Sequence, residues 1–226
     1  MSFNARWEKD IYGEGFQLNR YPHHTVVSHV MRFAAGCTDK SKLKVLDIGC
    51  GAGNNLVFIA EAGLQAYGID GSTSAIAFAK QRLERAHLNA DAQVGDFAKL
   101  PWPDDFFDLV IDRCALSHNR RATIEATLDE IKRTLKPGGE LYSEMWSDSH
   151  FERGFGESLG DGSCEVFSEG TFKPIGTTFF AGSGDIDELF ANRFDIATKN
   201  HILCEHMVEQ RTSASWSIVC RNPMEG

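Results

Sequence analysis

The sequence lacks several features that define common classes of protein. No apolar run is long enough to cross a bilayer, and the N-terminus carries no signal-like segment. The six cysteines form neither a C-x-x-C pair nor a Cys/His pair at zinc spacing, so we expect no metal site. These absences argue against a membrane-spanning protein and favour a cytoplasmic protein with reduced thiols.

Positive charge is also scarce. The 226 residues include 23 Lys and Arg against 32 Asp and Glu, which gives a net charge of −9. Because nucleic-acid backbones select clustered Lys and Arg, this balance disfavours a nucleic-acid partner, although the acidity equally fits simple solubility. No internal repeat or low-complexity tract divides the chain, and its length suits one α/β domain better than two.

A glycine-rich turn is the most informative feature that is present. In Val45–Asn55, residues of buried-strand character run into a G-x-G-x-G turn that opens a helix. Glycines let the backbone turn sharply and let a ligand approach closely. The helix start presents free N–H groups and the positive end of the helix dipole to an anionic ligand group. The segment therefore indicates a nucleotide-like cofactor beside the first strand.

Four further segments follow the turn in order. A second strand ends in Asp70, at roughly the spacing of 20 residues that suits a carboxylate binding ribose hydroxyls. Val94–Phe97 forms the end of a third strand, and residues 107–113 form a fourth. An L-K-P-G-G turn at residues 135–139 precedes a fifth strand.

This order of motifs resembles the class I S-adenosylmethionine (SAM) methyltransferases over residues 43–146. Their signature D-x-G-x-G-x-G begins here at Asp47, with Gly53 one residue earlier than the third glycine of a dinucleotide fold, where this chain has Asn54. The turn alone leaves both cofactors open. The resemblance implies a SAM-dependent methyltransferase. The alternatives are an NAD(P)-dependent oxidoreductase and a non-catalytic SAM-binding regulatory module.

The resemblance also implies roles for individual residues. Asp96 would accept a hydrogen bond from the adenine amino group, Phe97 would cover the ring, and Asp70 would hold the ribose hydroxyls. Arg20, in a leader that folds over the pocket, would pair with the methionine carboxylate. The full set of expected cofactor-binding residues is Tyr12, Arg20, Asp47, Gly49, Cys50, Gly51, Asn54, Asp70, Gly71, Asp96, Phe97 and Arg113.

Alternating strands and helices from residue 43 predict an α/β fold with a doubly wound parallel sheet, whose ligands lie at the carboxyl ends of the strands. Residues 194–204 and 212–221 alternate as a closing antiparallel pair, which completes a Rossmann-like seven-stranded sheet. The other strands are expected near 43–48, 65–70, 91–95, 107–113 and 139–146, and helices near 53–62, 73–86 and 120–135. We predict Asn119 as the N-cap of the last of these helices, and Asp185, with Glu188, as the capping box of a short helix ending at Ala191.

We expect a single domain over residues 1–226 with four parts. Residues 1–42 form an N-terminal lid that carries aromatic residues, among them Phe16, and an amphipathic helix between Pro22 and Gly36. Residues 43–146 form the SAM-binding core. Residues 147–184, rich in Gly and Phe, form an insertion on the acceptor side. Residues 185–226 supply the closing helix and hairpin.

His118 is the best candidate for a catalytic base. The methyl carbon of SAM is already electrophilic, so positioning can supply most of the acceleration, but a hydroxyl acceptor also needs a base. An ordinary histidine pKa suits that task near neutrality. Packing or helix capping is the alternative role for His118. Asp112 is a candidate pocket acid, and a structural ion pair with Arg113 is its alternative role. His23 is expected at the surface.

The expected acceptor is a hydroxyl or amine of a small molecule. Asp112–Ala115 holds no N-P-P-Y-like tetrapeptide, which speaks against adenine as the acceptor. Leu18–Pro22 resembles the leader of bacterial methyltransferases associated with surface-glycan synthesis, which implies a sugar or glycan precursor.

Overall fold

The computed structural model describes residues 4–15 and 18–224, so the expectation for Phe16 lies outside the described residues. A seven-stranded sheet forms its centre. The strands are β1 (Lys44–Ile48), β2 (Gln65–Asp70), β3 (Ala90–Val94), β4 (Phe107–Arg113), β5 (Leu135–Trp146), β9 (Asp195–His206) and β10 (Arg211–Arg221). Their order is β3-β2-β1-β4-β5-β10-β9. The first five are parallel, and β10 runs antiparallel to both β5 and β9, which confirms the predicted Rossmann-like α/β fold.

Helices cover both faces of this sheet because successive strand residues point to opposite sides. The helices are α1 (His24–Ala35), α2 (Asn54–Glu61), α3 (Thr73–Arg85), α4 (Arg121–Thr134) and α5 (Ser183–Ile186). Val45 of β1 shares a core cluster with residues of α1, α2 and α3. Its neighbour Leu46 shares the opposite cluster with α4 and α5. The winding on both faces leaves the carboxyl ends of the parallel strands open for a ligand.

Two predicted helix caps were wrong. The N-cap of α4 is Arg120, because the Asn119 side chain instead donates to the Ala115 carbonyl oxygen at 3.0 Å and closes the short helical turn before it. The N-cap of α5 is Gly182, three residues before the predicted position. Asp185 lies at the third helical position, where its carboxylate accepts from the Gly182 N–H at 2.8 Å.

Described residues of the leader, which is the N-terminal segment 1–42, pack against the insertion, residues 147–184. Trp7–Tyr12 forms a π-helical turn, and the insertion contains a small sheet of β6 (Glu157–Ser158), β7 (Ser163–Glu165) and β8 (Thr178–Phe179). Ile11 of the leader shares a core cluster with Phe172 and other apolar residues of the insertion. The two segments therefore form one cover above the sheet edge. Within the described residues, every helix is too short or too polar to cross a membrane.

Candidate active site

A cavity of about 370 Å³ opens at the carboxyl ends of β1, β2 and β4, beneath the leader and the insertion. This volume is within the range of small-molecule sites, roughly 300–1,000 Å³. The predicted cofactor-binding residues that line it are Tyr12, Gly49, Cys50, Gly51, Asn54, Asp70, Gly71, Phe97 and Arg113. His118, the predicted base, lines the same cavity. The structure thus brings most of the predicted site into one place.

The glycine turn is shaped by contacts with the protein itself. Gly49 and Gly51 have φ values of 61° and 51°, which L side chains rarely adopt. A Cβ atom at Gly49 would lie 2.4 Å from the Ala115 Cβ atom, and one at Gly51 would lie 2.3 Å from the Tyr12 hydroxyl oxygen. The glycines are therefore required for the left-handed backbone and for packing against the leader and the segment after β4.

Asp70 lies at the end of β2 with its carboxylate buried in the cavity lining. Its oxygens accept from the N–H groups of Gly51 at 3.0 Å and Ser72 at 2.8 Å. A carboxylate offers about four lone-pair sites, so Asp70 retains capacity for ribose hydroxyls. Burial raises the pKa of Asp70 to about 6, against the lowering effect of the two backbone hydrogen bonds. Its position fits the adenosine of a nucleotide-like cofactor.

Three predicted cofactor residues lie outside the lining of the cavity. Asp47 is 1% exposed beneath the turn and hydrogen-bonded to Asn55, and burial raises its pKa to about 8. Asp96 accepts from the Ala98 N–H at 3.0 Å in the turn after β3. Arg20 is exposed, with its guanidinium 5.7 Å from the centre of the Tyr21 ring. These three side chains remain predicted cofactor contacts that lie outside the cavity lining.

Arg113 provides the guanidinium of the lining. Its Nε atom forms an ion pair with Glu144 Oε2 at 2.8 Å, and Glu144 accepts from the Tyr142 hydroxyl at 2.5 Å. Asp112, the other expected partner, instead accepts from the Ser143 hydroxyl at 2.6 Å. Glu144 was not identified from the sequence, although it is the register partner of Arg113 on the adjacent strand β5. This pairing fixes the only Arg or Lys side chain among the described cavity residues.

His118 has an environment that differs from the one expected. Its ring meets the Trp7 ring edge-on with 5.2 Å between centroids, and its Nδ1 atom lies 3.4 Å from the Thr178 hydroxyl oxygen. Burial, together with the Arg113 charge, lowers the pKa of His118 to about 3. The expectation of an ordinary pKa was therefore wrong. The imidazole is neutral across the physiological range and only weakly basic.

Other lining residues were not identified from the sequence. Trp146 at the end of β5 and Phe172 in the insertion lie 5.3 Å apart between ring centroids. His23, expected at the surface, also lines the cavity, and burial lowers its pKa. The abundance of aromatic residues in the insertion was a signal for such a wall, but it did not indicate which rings face the ligand.

Comparison with known sequences supports the assignment of the core. Residues 45–139 match the family described as a methyltransferase domain. A sterol 24-C-methyltransferase from Gibberella zeae is 29% identical over 168 residues, which cover 69% of this chain and 42% of that protein. A ubiquinone biosynthesis O-methyltransferase from Bradyrhizobium is 35% identical over 99 residues, which cover 44% of this chain and 38% of that protein. The chain thus spans less than half the length of these curated relatives.

Solved structures share the fold. A SAM-dependent methyltransferase from Methanosarcina mazei superimposes with a TM-score of 0.71 at 19% identity, covering 91% of this chain and 100% of that one. Magnesium protoporphyrin IX methyltransferase from Synechocystis, solved with bound SAM, gives 0.62 at 19% identity, covering 87% and 77%. The matched segment, the fold and the glycine turn beside Asp70 agree: over residues 45–139 the chain is similar to methyltransferase domains, and it shares its fold with SAM-dependent methyltransferases.

Proposed function

We propose that this protein transfers the methyl group of SAM to a hydroxyl or amine of a small molecule. The observation that carries the proposal is one cavity that joins the glycine turn, Asp70 and Phe97 to a space walled by His118 and the aromatic residues of the cover. SAM supplies an electrophilic methyl carbon, so the protein has chiefly to position the acceptor and exclude water. A SAM-binding regulatory module would not need an acceptor space, and the position of Gly53, with Asn54 at the third-glycine position, argues against the dinucleotide site of an NAD(P)-dependent oxidoreductase.

The cofactor side of the cavity has a separate role for each of its groups. The Gly49–Asn54 turn and Asp70 hold the adenosine, with Asp70 accepting from the ribose hydroxyls and Phe97 covering the adenine. Arg113, rather than the exposed Arg20, takes the methionine carboxylate in a charge-assisted pair. This assignment is supported by the ion pair to Glu144, which holds the guanidinium at the cavity. Asp47 supports the turn from below through Asn55.

On the acceptor side, His118 orients the acceptor as a neutral hydrogen-bond partner and is at most a weak base, because its pKa is strongly lowered. A hydroxyl acceptor that is itself acidic, or a neutral amine, suits such a site. Among hydroxyl acceptors, a sugar or glycan precursor is the one that the resemblance of Leu18–Pro22 implies. The six free thiols support a cytoplasmic location.

Calorimetric titration tests the proposal. We expect S-adenosylhomocysteine (SAH) and SAM to bind with micromolar affinity, equivalent to about 8 kcal/mol, and NADH to give no comparable signal. Incubation of the protein and SAM with cell extract should release SAH faster than SAM and extract without protein. Tight NADH binding without SAH binding would contradict the cofactor assignment. SAH binding without extract-dependent turnover would instead favour the regulatory module.

A further inference from the structure

From the acceptor side of the cavity we infer that the methyl acceptor is a flat, uncharged ring compound with few polar groups. This inference rests on the proposed function and adds the chemical class of the acceptor. It is carried by four side chains, Trp7, His118, Trp146 and Phe172, which we call the aromatic wall. They come from the leader, the segment after β4, the end of β5 and the insertion, and all four line the cavity.

The aromatic wall is continuous. Ring centroids are 5.2 Å apart between Trp7 and His118, 6.1 Å between His118 and Phe172, and 5.3 Å between Phe172 and Trp146. The wall begins beside the cofactor side, because the Arg113 guanidinium carbon lies 6.0 Å from the centre of the Trp146 ring. Aromatic faces and edges favour ring partners in offset or edge-to-face contact. An acceptor lying against these rings is therefore held by its own flat faces.

Most polar side chains near the wall are already engaged. The Asn4 amide donates to the Ile175 carbonyl oxygen at 3.0 Å and accepts from the Arg6 N–H at 3.0 Å. The Thr171 hydroxyl donates to Glu152, and the Asn119 amide donates to the Ala115 carbonyl oxygen. A sugar would bring several hydroxyls into a space with few free partners, and each unpaired hydroxyl weakens binding. The wall thus disfavours polyhydroxylated acceptors.

Ring nitrogens of the aromatic wall remain for the acceptor, among them those of Trp146 and His118. Nε1 of Trp146 is buried and has no hydrogen-bond partner among the described residues. The contact of His118 with Thr178 uses Nδ1 and leaves Nε2 as its other polar atom. The Trp146 indole N–H donates, and His118 Nε2 donates or accepts according to the tautomer of the ring. Together they match an acceptor with one or two polar substituents.

The charges of the side chains that line the cavity also favour an uncharged acceptor. Among the described cavity residues, the carboxylate is Asp70, on the cofactor side, and the guanidinium of Arg113 is paired with Glu144 and assigned to the methionine carboxylate of SAM. Burial keeps His118 and His23 neutral by lowering the pKa of each. A phosphate or carboxylate group placed against the aromatic wall would lose its hydration without gaining a counter-charge. An ammonium group would be attracted by the ring faces but would find no carboxylate beside them. The site therefore selects uncharged acceptors.

Calorimetry on the SAH complex of the full chain tests this inference with three probes. They are 2-naphthol, 6-hydroxy-2-naphthoate, which adds one carboxylate to the same rings, and methyl glucoside, which is polyhydroxylated. We expect 2-naphthol to bind at least about tenfold more tightly than either of the others, a difference of about 1.4 kcal/mol. Equal or tighter binding of the naphthoate or the glucoside would overturn the inference, as would the absence of 2-naphthol binding. Failure of SAH itself to bind would instead refute the proposed function.

Variants of Phe172 test whether 2-naphthol binds at the aromatic wall. Phe172→Leu keeps an apolar side chain but removes the ring, and Phe172→Ala removes most of the side chain. Both should weaken 2-naphthol binding, the alanine variant by about tenfold, and both should leave SAH affinity within about twofold. Phe151→Ala is the matched control, because Phe151 belongs to the insertion but lies outside the cavity lining. If neither Phe172 variant alters 2-naphthol affinity, the probe binds elsewhere and the aromatic wall is not the acceptor site.

Discussion

The two sides of the cavity are built differently. The cofactor side consists of the glycine turn and the ends of neighbouring parallel strands, where Asp70 is held by N–H groups of Gly51 and Ser72. The acceptor side consists of rings from the leader, the segment after β4, the end of β5 and the insertion. The leader and the insertion are far apart in the sequence, as the contact between Asn4 and Ile175, 171 residues apart, illustrates. The first side is fixed by backbone geometry and the second by side-chain packing. A local sequence motif can therefore specify cofactor binding, whereas acceptor choice can change with a few side chains.

The largest effect should come from the cofactor side. Asp70→Asn keeps the size of the side chain but removes its charge and places an amide where ribose hydroxyls and backbone N–H groups need acceptors. Hydrogen bonds to charged groups contribute about 1.5–3 kcal/mol each, so SAH affinity should fall by roughly tenfold to a hundredfold. Calorimetry measures the loss.

Asp91→Asn is the control for this substitution, since Asp91 lies on β3 and accepts from the Gln93 side chain outside the cavity lining. Unchanged SAH affinity in Asp70→Asn would remove Asp70 from the ribose site. Asparagine is preferable to alanine because it keeps the size of a side chain that is buried and bonded to two backbone N–H groups.

The acceptor side should be sensitive to Glu152. This buried carboxylate accepts from the Thr171 N–H at 2.7 Å and the Phe172 N–H at 3.3 Å, and so holds part of the aromatic wall in place. Glu152→Ala leaves these donors unpaired, at a cost of about 1–3 kcal/mol each where no water replaces the carboxylate. We expect faster amide hydrogen exchange in residues 168–176 and unchanged SAH affinity.

Glu157→Ala, at an exposed position of the same insertion, should leave exchange as in the wild type. If Glu152→Ala instead weakened SAH binding as strongly as Asp70→Asn does, the two sides of the cavity would not be separable.

A moderate effect is expected from pH on the cofactor side. Because burial raises the pKa of Asp70 to about 6, the carboxylate is ionised above that pH and becomes protonated below it. A protonated carboxyl is a poorer acceptor for ribose hydroxyls, so SAH affinity should decrease as pH falls from 7 to 5, by several-fold. Calorimetry across this range should show the decrease in the wild type and a nearly flat profile in Asp70→Asn. A flat wild-type profile would contradict the role of Asp70.

The smallest effect should appear on the acceptor side. His118 has a pKa lowered to about 3 by burial and by the Arg113 charge, so its ring should not titrate between pH 5 and 8. Proton NMR of the histidine ring signals, with the His118 signal assigned from its loss in His118→Gln, measures this directly. A titration midpoint near neutrality would restore His118 as a general base of ordinary strength.

The sequence predicted which turn and strand-end residues lie at the cavity, because their determinants are local. The turn from Gly49 to Gly53 and the acid at Asp70 lie at fixed distances from strands that periodicity identifies. Asp47, Arg20 and Asp96 lie outside the cavity lining, a placement that depends on tertiary packing. Glu144, Trp146 and Phe172 were missed for the same reason, since strand register and long-range packing bring them to the cavity. The low pKa of His118 likewise follows from burial, which a loop position in the sequence does not reveal.

The most direct test of two separable sides is a crystal structure of the complex with SAH and 2-naphthol. We expect ribose oxygens within about 2.5–3.2 Å of the Asp70 carboxylate, Phe97 against the adenine, and the sulfur of SAH facing a naphthol ring that lies on the aromatic wall. Adenosine lying between Trp146 and Phe172, or naphthol outside the cavity, would contradict this expectation.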